Sequence, residues 1–92
     1  MPMKTARRVY YEGRVQAVGF RLTTKHIASG YEVQGWVRNL PDGRVEMEAA
    51  GEEEELLAFL KAVQNGPLGG NIRKIEEEEI PCRPGQTGFA IL

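Results

Sequence analysis

The sequence is poor in the side chains that bind metals or form covalent bridges: it has one cysteine, Cys82, and one histidine, His26. A lone cysteine cannot close an internal disulfide, and one thiol with one imidazole cannot complete a structural zinc site, so no metal site and a reducing, cytoplasmic setting are expected. No apolar run of about 18 residues occurs, and Met1-Pro2-Met3-Lys4-Thr5-Ala6-Arg7-Arg8 lacks a following apolar core of signal-peptide length. Neither export nor membrane insertion is indicated. Paired carboxylates, a Cys/His pair and a Ser/His/Asp set are also missing in any persuasive arrangement, so no strong nucleophile, acid or base stands out.

Ninety-two residues make one small domain, read as residues 1–92 without linkers or internal repeats. A chain of this size hides about 60 to 70% of the surface its unfolded form exposes, which favours a shallow, loop-built site over a deep pocket. The net charge of −1 conceals a lopsided distribution. Residues 1–44 carry eight basic and three acidic side chains, residues 45–92 four basic and ten acidic. The positive half would draw in a small anion, while Glu52 to Glu55 and Glu76 to Glu79 would repel a long polyanion; no nucleic acid partner is expected.

What is present is a strand–loop–helix sequence with oxyanion chemistry. Val9, Tyr11, Gly13 and Val15 alternate with Arg8, Tyr10, Glu12 and Arg14, the period-2 pattern of a half-buried strand near Arg7 to Val15. Val15, Gln16, Ala17, Val18, Gly19, Phe20 and Arg21 follow as a glycine-containing loop. It leads into a short helix, roughly Leu22 to Ser29, with Thr23 and Thr24 as candidate caps and Gly30 as a left-handed C′ residue. Backbone N–H groups at such a junction converge where the helix dipole favours negative charge, and Arg21 adds a permanently charged fork.

Tyr31 to Leu40 reads as a second strand, joined through the turn residues Leu40-Pro41-Asp42-Gly43 to a third, Arg44 to Ala49. Glu52 to Gln64 is the strongest helix, with Leu56, Phe59, Leu60 and Val63 at i, i+3, i+4 and i+7. Ile72 to Ile80 and Thr87 to Leu92 complete the strands, with Phe89 and Ile91 directed inward and the Glu76 to Glu79 run marking an edge. The order predicts an α+β, ferredoxin-like α/β sandwich: an antiparallel sheet of four to five strands, βαββαβ plus a closing strand, with two helices on one face. Were the first two strands neighbours, Asn39 would approach the loop, and its amide could hold a water. Without acid–base groups, stable phosphate monoesters are difficult substrates and a phosphoryl compound with a good leaving group is the easier one. An acyl phosphate releases a carboxylate of pKa about 4 to 5, which departs without a proton donor.

Two motifs, Gly13-Arg14-Val15-Gln16-Ala17-Val18-Gly19-Phe20-Arg21 and Gly35-Trp36-Val37-Arg38-Asn39-Leu40-Pro41-Asp42-Gly43-Arg44-Val45-Glu46, with the terminal Gly88-Phe89-Ala90-Ile91, resemble an acylphosphatase over nearly the whole chain. The resemblance implies a monomeric, metal-independent hydrolase of small acyl phosphates such as acetyl or carbamoyl phosphate. It implies that Arg21 and the amides of loop 15–21 bind the phosphate, that Asn39 positions the attacking water, and that neither cofactor nor phosphoenzyme is involved. The family pattern has glycine where this chain has Ala17. If that position needs positive φ, a Cβ costs about 1 kcal/mol or more, which keeps open a weakened phosphate-binding or regulatory module on the same fold. A third reading, an RNA-binding sheet displaying Tyr10, Tyr11 and Trp36, lacks a matching aromatic motif and is opposed by the acidic half.

Overall fold

A computed structural model describes residues 3–92. The elements run β1 (Lys4–Gly13), α1 (Phe20–Ala28), β2 (Val33–Asn39), β3 (Val45–Glu52), α2 (Glu53–Gln64), a short 3-10 turn (Gly69–Asn71), β4 (Ile72–Ile80) and β5 (Phe89–Ile91). They form a five-stranded sheet in the order β4-β1-β3-β2-β5. The first four strands pair antiparallel as expected, whereas β5 joins β2 in parallel, so the sheet is mixed. β4 is an edge strand, and its glutamates stand on an unpaired margin where charge discourages pairing with another chain. No described helix is long and apolar enough to cross a membrane.

Strand alternation divides the sheet into two faces. Val9, Tyr11, Val37, Val45, Met47 and Ala49 are buried against Leu56, Phe59, Leu60 and Val63 of α2 and Phe20 and Ala28 of α1. Register brings Val9 and Val37 to either side of Met47 on the central strand β3. Phe59, fully buried, lies 5.7 Å from the Phe89 ring, which ties β5 to the helix layer. Burial of such a side chain contributes about 1.5–3 kcal/mol. The opposite face carries Glu46 and Glu48 on β3, both buried beneath arginine side chains.

Three local expectations are corrected. α1 begins two residues earlier than the sequence suggests, so Thr23 and Thr24 lie inside it, and the cap is Gly19, without a side-chain hydrogen bond. Gly30 is not left-handed; α1 closes through tightened bonds in which the Ser29 N–H donates to His26 and the Gly30 N–H to Ile27. β1 and β2 are not neighbours, because β3 lies between them.

Candidate active site

The loop between β1 and α1 is anchored at two points, Arg14 and Gln16. The Arg14 N–H donates to the Asn71 carbonyl at 2.9 Å, and Gln16 Nε2 donates to the carbonyls of Leu40 (2.8 Å) and Arg44 (2.9 Å) across the β2–β3 hairpin. That hairpin is stiff: the Leu40 N–H donates to the Arg44 carbonyl at 2.8 Å, and Asp42 accepts from both the Arg44 N–H and its guanidinium. These bonds hold the Asp42 carboxyl below its usual range. Gln16 therefore links the loop to the end of β2, and Asn39 reaches the loop by this route although β1 and β2 are apart.

Two left-handed residues shape the loop. Gly19 has φ 80°; no other group lies within 4 Å of the place a Cβ would take, but an L side chain would be strained by the backbone itself. Ala17 has φ 61° and is the one non-glycine residue with positive φ among the described residues. The condition attached to Ala17 in the sequence is met: its backbone does occupy the region that disfavours a Cβ, at about 1–2 kcal/mol. Gly19 as cap offers no side-chain acceptor, and the first turn of α1 holds no acidic residue. The first N–H groups of the helix thus face out unsatisfied by side chains, at the positive end of its dipole.

Val15, Ala17, Gly19, Phe20, Arg21, Leu22, Asn39 and Ile91 line one cavity of about 150 Å³. The structure so brings together most of the predicted site. Gln16 braces the loop from behind, and Val18 projects outward. Phe20 is buried with its ring 5.2 Å from Tyr11, which fixes the start of the helix on the sheet. Arg21 Nη1 donates to the main-chain oxygen of Leu92, the last residue of the sequence, at 3.0 Å, and no Asp or Glu carboxylate among the described residues lies within salt-bridge distance of it. Asn39 Oδ1 is buried and has no hydrogen-bond partner among the described residues. Leaving such an acceptor unsatisfied costs about 1–3 kcal/mol, so this oxygen is suited to a donor entering the cavity.

Sequence reasoning missed Leu22 and Ile91. Ile91 shares a face with Phe89 but lies at the cavity rim, 38% exposed, while Phe89 packs on the core. Among the described residues no group of three or more His, Cys, Asp or Glu side chains is placed to hold a metal, and Cys82 and His26 are exposed.

An anion cradle braced to an orphaned amide is the geometry, and comparison with known proteins identifies it. The sequence pattern of the acylphosphatase family matches residues 7–91. The chain belongs to the acylphosphatase family. An acylphosphatase of Pseudomonas aeruginosa is 43% identical over 82 residues, covering 89% of each chain. Crystallised acylphosphatase from Bacillus subtilis superposes with a TM-score of 0.87 at 38% identity, over 98% of this chain and 99% of that one. The acylphosphatase of Coxiella burnetii superposes at 0.85 with 29% identity, over 97% and 93%. An enzyme of acyl phosphate hydrolysis, with a ferredoxin-like fold, is therefore what this chain encodes.

Proposed function

We propose that the chain cleaves the carboxyl–phosphate bond of small acyl phosphates in the cavity between loop 15–21 and Asn39. The observation that carries this reading is the pairing, in one cavity, of an arginine without an Asp or Glu partner with a buried amide oxygen that has no partner, both among the described residues. Arg21 and the N–H groups at the start of α1 hold the phosphoryl oxygens and stabilise charge as it shifts in the transition state. Asn39 Oδ1 accepts a hydrogen bond from water and turns its oxygen lone pair toward phosphorus. The water oxygen bonds to phosphorus as the bridging P–O bond breaks, and the carboxylate leaves with that electron pair. The water protons end on product phosphate or in solvent, so no protein base is required.

Positioning and electrostatics suffice for this chemistry because the leaving carboxylate is already a weak base. Turnover of benzoyl phosphate without added metal tests the assignment. Arg21→Ala and Asn39→Ala should each lower kcat/KM by about 10²–10³-fold, the scale of losing one oriented transition-state contact. Wild-type turnover in either variant would overturn the role given to that residue.

Ala17 supports a second reading, a phosphate-binding module of reduced activity. Against it, the Ala17 backbone adopts the left-handed conformation in spite of its Cβ, so the strain falls on stability more than on loop geometry. Saturable phosphate binding without hydrolysis would decide for the module.

A further inference from the structure

The cavity that would take the phosphoryl group is small, about 150 Å³, well below the roughly 300–1,000 Å³ of sites that enclose whole organic ligands. The acyl part of a substrate must therefore lie on whatever borders the opening. Large exposed hydrophobic side chains concentrate there. Leu22 (56% exposed) and Ile91 (38%) line the cavity itself, Val18 (38%) lies between the lining residues Ala17 and Gly19, and Leu92 (61%) follows Ile91 and accepts the Arg21 bond. Scattered exposed apolar residues need no explanation, but a contiguous group at the mouth of a polar site marks a contact surface. Leu22 and Ile91 also form part of the wall of an adjoining groove of about 440 Å³, completed by Lys25, His26 and Ser29 along α1. One pair of side chains thus belongs to both the phosphoryl cavity and the groove next to it.

We propose that the Leu22–Ile91 shelf is an acyl-group subsite that selects acyl phosphates with a bulky apolar, for example aromatic, acyl moiety over acetyl phosphate. The inference rests on the phosphoryl group occupying the cradle as described above. Covering the shelf removes apolar surface from water only when the acyl group is large enough to reach it; an acetyl methyl is not. Discrimination of this kind between apolar groups is worth about 10–200-fold in kcat/KM.

The test compares kcat/KM for benzoyl phosphate and acetyl phosphate in wild type, Leu22→Ser, Ile91→Ser and Leu22→Met. Wild type should prefer benzoyl phosphate by about tenfold or more. Each serine variant should reduce the ratio severalfold, with the loss carried by KM for benzoyl phosphate, and Leu22→Met should restore it. Inhibition by inorganic phosphate, followed in parallel, reports on the cradle. A benzoyl-to-acetyl ratio unchanged by both serine variants, with turnover intact, overturns the subsite alone. Absence of turnover of both substrates in wild type overturns the hydrolytic reading of the cavity and the subsite with it. Leu22 is exposed, so a folding defect does not stand between that variant and the answer.

Discussion

Arginines on the open face of the sheet and the arginine of the cradle keep different company. On the open face, Arg8 meets Glu48 at 2.8 Å and Glu78 at 3.3 Å, Arg38 meets Glu46 at 2.6 Å, and Arg83 meets Glu48 at 3.0 Å. Aromatic rings add to this: the Arg38 guanidinium lies 5.2 Å from the Trp36 ring and that of Arg44 4.7 Å from Tyr10. Their charge is spent within the fold. Arg21 instead meets no Asp or Glu among the described residues; its guanidinium is oriented by the main-chain oxygen of Leu92, the last residue of the sequence. The same side chain is thus structural where glutamates of the sheet hold it on several sides and open to a ligand where its one partner is a main-chain oxygen at the cavity rim, a distinction that net charge conceals.

The largest expected effect breaks this comparison in half. Arg21→Ala should abolish competitive inhibition by inorganic phosphate along with the 10²–10³-fold loss in kcat/KM given above, while the thermal midpoint changes little. Arg8→Ala should do the converse, lowering the midpoint and leaving kcat/KM of the folded protein at the wild-type level. Equal losses of turnover in the two variants would show that the open face and the cradle are not separate systems.

Next in size is the removal of Glu48, the buried acceptor shared by Arg8 and Arg83. Glu48→Ala should destabilise by about 1–3 kcal/mol, since it removes charge-assisted bonds on the central strand. Burial alone would raise the Glu48 pKa, but hydrogen bonds from Arg8 and Arg83 outweigh it and hold the carboxyl below its ordinary 4.5. A depressed folded-state pKa contributes stability that is complete above 4.5 and is lost as pH falls through the lower folded value. The difference in thermal midpoint between wild type and Glu48→Gln should accordingly be greatest near neutrality and shrink on acidification below that point. A difference independent of pH would show that Glu48 acts through packing alone.

Much of this is legible in the sequence, for reasons that differ by element. Leu56, Phe59, Leu60 and Val63 identify α2 because a buried helical stripe leaves a 3.6-residue period, and the β1 and β3 alternations identify their inner faces. Arg21 and Asn39 emerge from motif chemistry and do line one cavity. The start of α1 escapes sequence reading because its cap is a left-handed glycine, Gly19, which gives no side-chain signal where two threonines do. The parallel pairing of β5 and the position of Ile91 cannot be read locally. They depend on a three-residue strand crossing to the far side of β2, and a strand that short has no periodicity of its own. Leu22 is invisible for a related reason: an exposed leucine is unremarkable until topology sets it beside another.

The smallest effect concerns Ala17 and sharpens the contrast within the loop itself, where two residues, Ala17 and Gly19, share the left-handed region and only one has the residue suited to it. Ala17→Gly relieves about 1–2 kcal/mol of folded-state strain, but glycine also loses more backbone freedom on folding, by about 0.5–1 kcal/mol. The first term equals or exceeds the second, so a net gain between zero and about 1.5 kcal/mol is expected, a rise of about 6–12 °C at most in the thermal midpoint of a domain this size. Turnover should change less than about threefold, because the alanine backbone already holds the positive φ that a glycine would adopt. A large gain in kcat/KM without a rise in midpoint would place the strain in the loop amides and reverse this conclusion.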